Sequence, residues 1–391
     1  MKSAVSDRRH ARRSGSAKTA WSRSTASNVI KERPLSVAFH ELTVAEVRRE
    51  TDDAVAVRLA LPEDCGDAFA FSPGQHLTLR RLFENDDVRR NYSICASPDE
   101  GALWVAIKQV PGGQFSSWAN SELKQGDRLE AMSPHGSFTW KFTPARRAHY
   151  LGIAAGSGIT PILSLIKTML AQEPESRFTL LYGNRHSGSV MFLETLSALK
   201  NRNMGRLQVH HFLSGEEEDI ELFNGRLEAE KLGDIFERLV DPSTIEAAFL
   251  CGPGAMMDAA QAALLAKDVP SSSILAERFT ADRPAGNAEQ RAALERQSQG
   301  RKVSVTLDGR RRSISFDSAR GSILENARAA GMSAPYACKA GVCATCRAKL
   351  VTGDVHMEAN YGLSADEIAQ GYILTCQAMP LTDDVSVDFD A

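Results

Sequence analysis

The stretch PYACKAGVCATC, from Pro335 to Cys346, sets thiols at Cys338, Cys343 and Cys346 in the spacing C-x4-C-x2-C, and Cys376 follows after 29 intervening residues. Four thiolates so spaced suit a [2Fe-2S] cluster. The residues between them are small: Ala340, Gly341, Ala344 and Thr345 let the loop wrap closely, bringing backbone N–H groups to the sulfurs. The alternative is a four-cysteine zinc site. Such sites usually pair two C-x2-C knuckles, and only one close pair occurs here.

Upstream of this loop, VSVTLDGRRRSISFD is two alternating runs around Asp308-Gly309, a strong hairpin signal, and SILENARAAG reads as a short helix. Hairpin, helix, cysteine loop and distant Cys376 together resemble a plant-type ferredoxin domain of β-grasp fold over about residues 301–391. Such a domain carries one electron at a time, so it needs a donor and an acceptor. Residues 283–300, RPAGNAEQRAALERQSQG, are polar and are expected to act as a linker.

The donor is sought in the remainder. Residues 37–145 show short β-prone runs (LTVAEV, AVAVRLAL, HLTLRRL, NYSIC, LWVAIKQV) punctuated by Ser-Pro-Gly and Pro-Gly-Gly turns, which predicts an antiparallel barrel. Residues 146–282 change to strand, helix, strand (HYLGIA, ITPILSLIKTMLAQ, FTLLYG), which predicts an α/β domain with a parallel sheet. The expected fold class is therefore multidomain α+β: barrel, α/β nucleotide-binding domain and β-grasp domain.

Several motifs sit on these elements. In Arg90-Asn91-Tyr92-Ser93 an Arg can hold a phosphate, an aromatic ring can stack on an isoalloxazine, and a hydroxyl can reach the flavin N5 edge. Alone, these residues are equally a surface Arg beside a half-buried strand Tyr. Gly113-Gln-Phe115-Ser116 opens a helix after a glycine turn, and GIAAGSGITP (residues 152–161) does so after a strand, with Thr160 suited to N-cap and Pro161 to the first helical position. Both turns are ready anion sites, or simply tight turns.

In this order the motifs resemble the ferredoxin-NADP reductase superfamily, and the resemblance adds Lys108, Tyr182-Gly183-Asn184-Arg185, Cys251-Gly252-Pro253 and Glu277-Arg278-Phe279. It implies FAD held by Arg90, Tyr92, Ser93, Lys108, Gly113, Phe115 and Ser116. It implies a nicotinamide dinucleotide on Gly156, Ser157, Gly158, Thr160, Arg185, Cys251 and Gly252, with Phe279 near the flavin. The implied catalytic groups are Ser93, Cys251 and Glu277, and the implied cluster ligands are Cys338, Cys343, Cys346 and Cys376. Lys108 is otherwise a solvated strand lysine, and Cys251 a buried structural thiol. Arg185 suits a ribose 2′-phosphate, so NADPH is expected, with NADH possible because the turn at Ser214-Gly215-Glu216 offers no second cation. The order of domains is that of reductases of multicomponent oxygenases. It implies as partner the oxygenase subunits of a multicomponent monooxygenase, with no nucleic acid and no membrane.

Composition is that of an ordinary soluble protein and argues against a fibrous, mainly disordered or membrane one: 43% hydrophobic and 24% charged residues, in a chain of 391. Seven cysteines are too few for a disulfide scaffold, no apolar run spans a bilayer, and the expected compartment is the cytoplasm. Residues 1–36 hold nine Lys or Arg against Asp7 and Glu32. This basic, Ser-rich stretch is expected to be a disordered tail, most simply an extended start, with a transit peptide or nucleic-acid arm as alternatives. A nonenzymatic module stabilised by zinc is the alternative from another class.

Overall fold

Alternation of apolar and polar residues gives the first domain its six strands: β1 (His40–Thr51), β2 (Ala54–Ala60), β3 (His76–Phe83), β4 (Asp86–Ser93), β5 (Leu103–Lys108) and β6 (Arg128–Ala131). The computed structural model describes residues 38–61, 65–84, 86–279 and 288–391; the expected basic tail at 1–36 lies outside them. The strands pair antiparallel in the order β4-β3-β6-β1-β2-β5, and a bridge between Ile94 and Val105 brings the two edges together into a barrel. Leu42, Val44, Val57, Leu77, Leu79, Val105 and Ile107 fill its interior, and helix α1 (Gln114–Ser121) adds Phe115 and Trp118 to that core.

The second domain alternates as expected: β7 (His149–Ala155), α2 (Ile159–Gln172), β8 (Arg177–Asn184), α3 (Leu193–Arg202), β9 (Leu207–Leu213), α4 (Ala229–Arg238), β10 (Ile245–Cys251), α5 (Gly254–Leu265) and β11 (Ile274–Glu277). Its strands are parallel in the order β11-β10-β7-β8-β9. Both faces are buried, because neighbouring residues point to opposite cores: Leu180 joins the cluster containing Ile162 and Ile166 of α2, and Leu181 joins that of Leu232 and Ile235 of α4. A 3-10 turn at Gly156–Gly158 runs directly into α2. Thr160 is therefore inside the helix rather than at its N-cap, and its Oγ1 donates to Ser157 O at 2.9 Å.

The third domain holds β12 (Lys302–Leu307), β13 (Arg310–Ser315), α7 (Ile323–Ala329), β14 (Arg347–Thr352), β15 (Val355–Met357), α8 (Ala365–Ala369), β16 (Tyr372–Leu374), β17 (Ala378–Pro380) and β18 (Val385–Asp388), preceded by α6 (Ala288–Ser298). The mixed sheet β13-β12-β18-β14-β16 packs on α7 through Val303, Val305, Val385, Val387, Ile323 and Leu324, a β-grasp core. Asp308 and Gly309 both have positive φ, as the hairpin signal requires.

Helix α6 falls within the span expected to be a linker. Its Ala, Glu, Gln, Arg and Leu residues favour a helix without any strong apolar stripe, and Leu294 and Ser298 attach it to the cluster domain. Among the described residues no helix is long and apolar enough to cross a membrane.

Candidate active site and cluster

The site begins at the β3–β4 ribbon. Side chains alternate across it, and the register pairs His76 with Ser93, Thr78 with Asn91, Arg80 with Arg89 and Arg81 with Val88. One face thus carries Arg81, Arg90 and Tyr92, and the other carries His76, Thr78, Arg89, Asn91 and Ser93.

On the first face Tyr92 lies tilted against Phe115, with ring centroids 5.6 Å apart, and burial pushes its phenol up. Gly113 is the N-cap of α1, where a Cβ would come within 2.6 Å of Ser116 Oγ. That hydroxyl accepts from Val110 N at 3.0 Å and donates to Gly113 O at 3.2 Å, so Ser116 stiffens the turn. Phe115 is buried beneath Tyr92 in the barrel core. Lys108 is paired with Asp53 at 2.8 Å. Arg90 is exposed, with Nη1 donating to Arg89 O.

Sequence reading missed Arg81. Its guanidinium lies 3.7 Å from the Trp118 ring centroid, its buried Nε has no partner among the described residues, and it lines a cavity of about 380 Å³ with Gln114 and Ser117 at the first turn of α1. A guanidinium whose Nε has no hydrogen-bond partner among the described residues, beside a helix N-terminus, fits a flavin phosphate. The only sequence signal was its place in the β3 alternation.

The nucleotide turns meet at the C-terminal edge of the parallel sheet. A Cβ on Gly158 would lie 2.0 Å from Cys251 O, and one on Gly252 would meet Ala155, so only glycine allows the turns after β7 and β10 to touch. Such a cradle fits a dinucleotide. Asn184 Nδ2 fits it too, being buried at the end of β8 without a partner among the described residues. Arg185 is exposed beyond that strand. Next to it Glu216 Oε1 accepts from Ser187 N at 2.9 Å and Oγ at 3.1 Å.

Cys251, Glu277 and Ser93 come together although they belong to different domains. Cys251 is opposite Glu277 in the β10–β11 register, and Ser93 Oγ donates to Glu277 Oε2 at 2.9 Å. Burial, then the Glu277 charge, push the Cys251 thiol well above its usual range, so it stays protonated. His76 Nδ1 lies 3.6 Å from Glu277 Oε1. Phe279 follows at the edge, 39% exposed.

The four cluster-loop thiols gather as two pairs. Cys338 lies beside Cys343, which raises the former thiol and lowers the latter; Cys346 and Cys376 influence one another likewise. Two pairs fit two irons. Ala340 N donates to Cys338 Sγ at 3.3 Å and Cys338 N to Cys343 Sγ at 3.5 Å. Lys339 and Ala344 take positive φ to bend the loop this tightly.

Comparison with known proteins agrees with this division. Residues 41–140 match an oxidoreductase FAD-binding domain, 153–262 an oxidoreductase NAD-binding domain and 305–381 a 2Fe-2S iron-sulfur cluster binding domain. The phthalate dioxygenase reductase structure, 22% identical, superimposes with a TM-score of 0.55 over 90% of this chain and 98% of that one. The chain belongs to the family of oxidoreductases that join FAD, NAD and [2Fe-2S] domains as the reductase components of oxygenase systems. Within it, the chain is 47% identical to a subunit of the 1,2-phenylacetyl-CoA epoxidase of Escherichia coli K12, over 90% of this chain and 98% of the relative. It is 35% identical to the ferredoxin reductase component of 3-ketosteroid-9-alpha-monooxygenase of Mycobacterium tuberculosis, over 93% and 99%.

Proposed function

We propose that this chain passes electrons from NADPH, through FAD and the [2Fe-2S] cluster, to the diiron oxygenase of a phenylacetyl-CoA epoxidase in the cytoplasm. The single observation that carries this reading is the end-to-end 47% identity with the epoxidase protein, against 35% with the ketosteroid reductase. The bound flavin supplies the conversion between a two-electron donor and a one-electron acceptor. The protein's own part is positioning. Arg81, Arg90 and the N-terminus of α1 hold the flavin phosphates, and Tyr92 and Phe279 hold the ring. Cys251 and Gly252 wall the nicotinamide, while Ser93 and Glu277 hold a proton at the flavin edge.

NADPH as donor rests on Arg185, whose exposed guanidinium can take a 2′-phosphate.

The test is reconstitution. The purified reductase, NADPH and oxygenase subunits of each candidate system are mixed, and NADPH oxidation coupled to substrate oxygenation is measured. Coupling with phenylacetyl-CoA and its oxygenase is expected; coupling only with a ketosteroid oxygenase would overturn the assignment.

A further inference from the structure

The barrel grips the cysteine loop on either side of its thiols. Before Cys338, Arg89 of β4 donates from Nη1 to Tyr336 O at 3.2 Å, and its guanidinium covers the Tyr336 ring at 4.1 Å. Between Cys343 and Cys346 the hydroxyl of Thr345 meets His135, in the loop after β6. Nδ1 of that histidine lies 3.0 Å from Ser133 O, which can only accept, so Nδ1 carries the ring proton and Nε2 accepts from Thr345 Oγ1 at 3.4 Å.

The nucleotide domain adds a hold of its own. Glu277, the last residue of β11, accepts from Ser93, and the next residue, Arg278, pairs with Asp258 of α5 and lies over the Tyr361 ring, 5.0 Å from its centroid. Asp258 is 68% exposed, so water screens its pairing with Arg278, whereas the guanidinium side chain is only 14% exposed and feels the ring with little water between. Tyr361 is in turn fastened to the cysteine loop, its N–H donating to Gly341 O at 2.9 Å. A Cβ on Gly341 would lie 2.9 Å from Ala359 O and one on Gly362 would lie 2.9 Å from Ala344 N, so glycine at both positions lets the two loops press together.

Contacts at Tyr336 and Thr345 alone leave the cluster domain one freedom, rotation about the line that joins them. A contact from a second domain removes it. We infer that Arg278 is a positioning residue for the second half of the electron route: through Tyr361 it stops the cluster domain from turning on the barrel and holds the cluster where it takes an electron from the reduced flavin. That step moves one electron, oxidising the flavin and reducing the cluster, and it slows as the pose is lost. Because Arg278 follows Glu277 directly, one dipeptide sets both the edge at Ser93 and the seat of the cluster.

The inference rests on the proposed passage of electrons from NADPH through FAD to the cluster. Stopped-flow absorbance of the wild-type holoprotein mixed with NADPH tests that passage first: a flavin that is reduced beside a cluster that stays oxidised would overturn the reading itself. With both steps present, Arg278→Ala and Tyr361→Leu should each slow cluster reduction about tenfold. Flavin reduction in Tyr361→Leu should keep its wild-type rate. Tyr361→Phe, which retains the ring, should behave as wild type, and Arg278→Lys should recover most of the rate. The double variant Arg278→Ala/Tyr361→Leu should be no slower than either single one, because both remove the same contact.

Two readouts separate position from driving force. Hydrogen–deuterium exchange over residues 335–346 should quicken in Arg278→Ala and Tyr361→Leu, and the midpoint potential of the cluster, from EPR-monitored titration, should stay that of wild type. Wild-type cluster reduction in Tyr361→Leu overturns the inference, as does a slowed reduction accompanied by a shifted potential or by unchanged exchange. Should Arg278→Ala not fold, Tyr361→Leu decides alone.

Discussion

Ser93 Oγ donates to Glu277 Oε2 at 2.9 Å across 184 positions of chain, tying the last residue of β4 in the barrel to the last residue of β11 in the nucleotide domain. On the proposed reading the pair closes the edge where hydride and proton are to be handled. If it holds the flavin proton, Ser93→Ala should slow reduction of FAD by NADPH by about 10²-fold while leaving flavin content intact. Stopped-flow bleaching of the flavin measures this. A wild-type rate would show the contact to be purely a domain clasp.

On the proposed reading Cys343 is a ligand of the cluster at which the intramolecular route ends. Cys343→Ser should abolish reduction of cytochrome c by NADPH, yet flavin reduction should proceed at the wild-type rate because it comes first. Cytochrome c reduced as fast as before would mean the cluster is not the outlet.

Arg185 stands exposed beyond β8. Losing one charge-assisted contact to phosphate costs roughly 1.5–3 kcal/mol, so Arg185→Ala should raise KM for NADPH by about 10- to 100-fold and leave NADH untouched. An unaltered NADPH to NADH preference is the contrary result.

Gly158 admits no side chain, since its Cβ would lie 2.0 Å from Cys251 O. Gly158→Ala must force apart the turns after β7 and β10. Binding of NADPH, followed by fluorescence quenching, should be lost while FAD stays bound; normal affinity would contradict the contact.

Burial sets the acid limit of stability. It pushes His135 down to about 3 and His149 down to about 4, against about 6.5 in an unfolded chain. Both folded values are depressed, so between them and 6.5 the unfolded state binds more protons, and stability falls as pH falls through that window. Tm should therefore decline steadily from pH 6.5 towards 4. The decline should be shallower in His135→Gln, and a parallel decline in that variant would exclude His135 as a source.

Much of this was legible in sequence because the chemistry is local. The spacing of Cys338, Cys343 and Cys346, the Asp308-Gly309 turn and the glycine turn at 156–158 each fit within a dozen residues. Helix α6 escaped because its stability comes from propensity rather than periodicity. Ser93 and Glu277 were each named as site residues, yet nothing local told that they touch. The contact of His135 with Thr345 was invisible for the same reason, since the two are 210 positions apart. Arg81 was hidden differently, as one more charged residue in a strand until its unpartnered Nε was seen.

Arg89 and Arg90 are consecutive, but they lie on opposite sides of one strand: Arg89 grips Tyr336 of the cluster loop, and Arg90 shares its face with Tyr92 and Arg81. On the proposed reading, with the flavin on the Arg90 face and the cluster in the Tyr336 loop, the separation between the two redox centres is gauged by the thickness of a single ribbon. Deleting one residue between Val88 and Tyr92 would exchange the two faces, turning Arg90 towards the cluster loop and Arg89 towards the face of Tyr92 and Arg81. The strand is a caliper whose jaws cannot be reset one at a time.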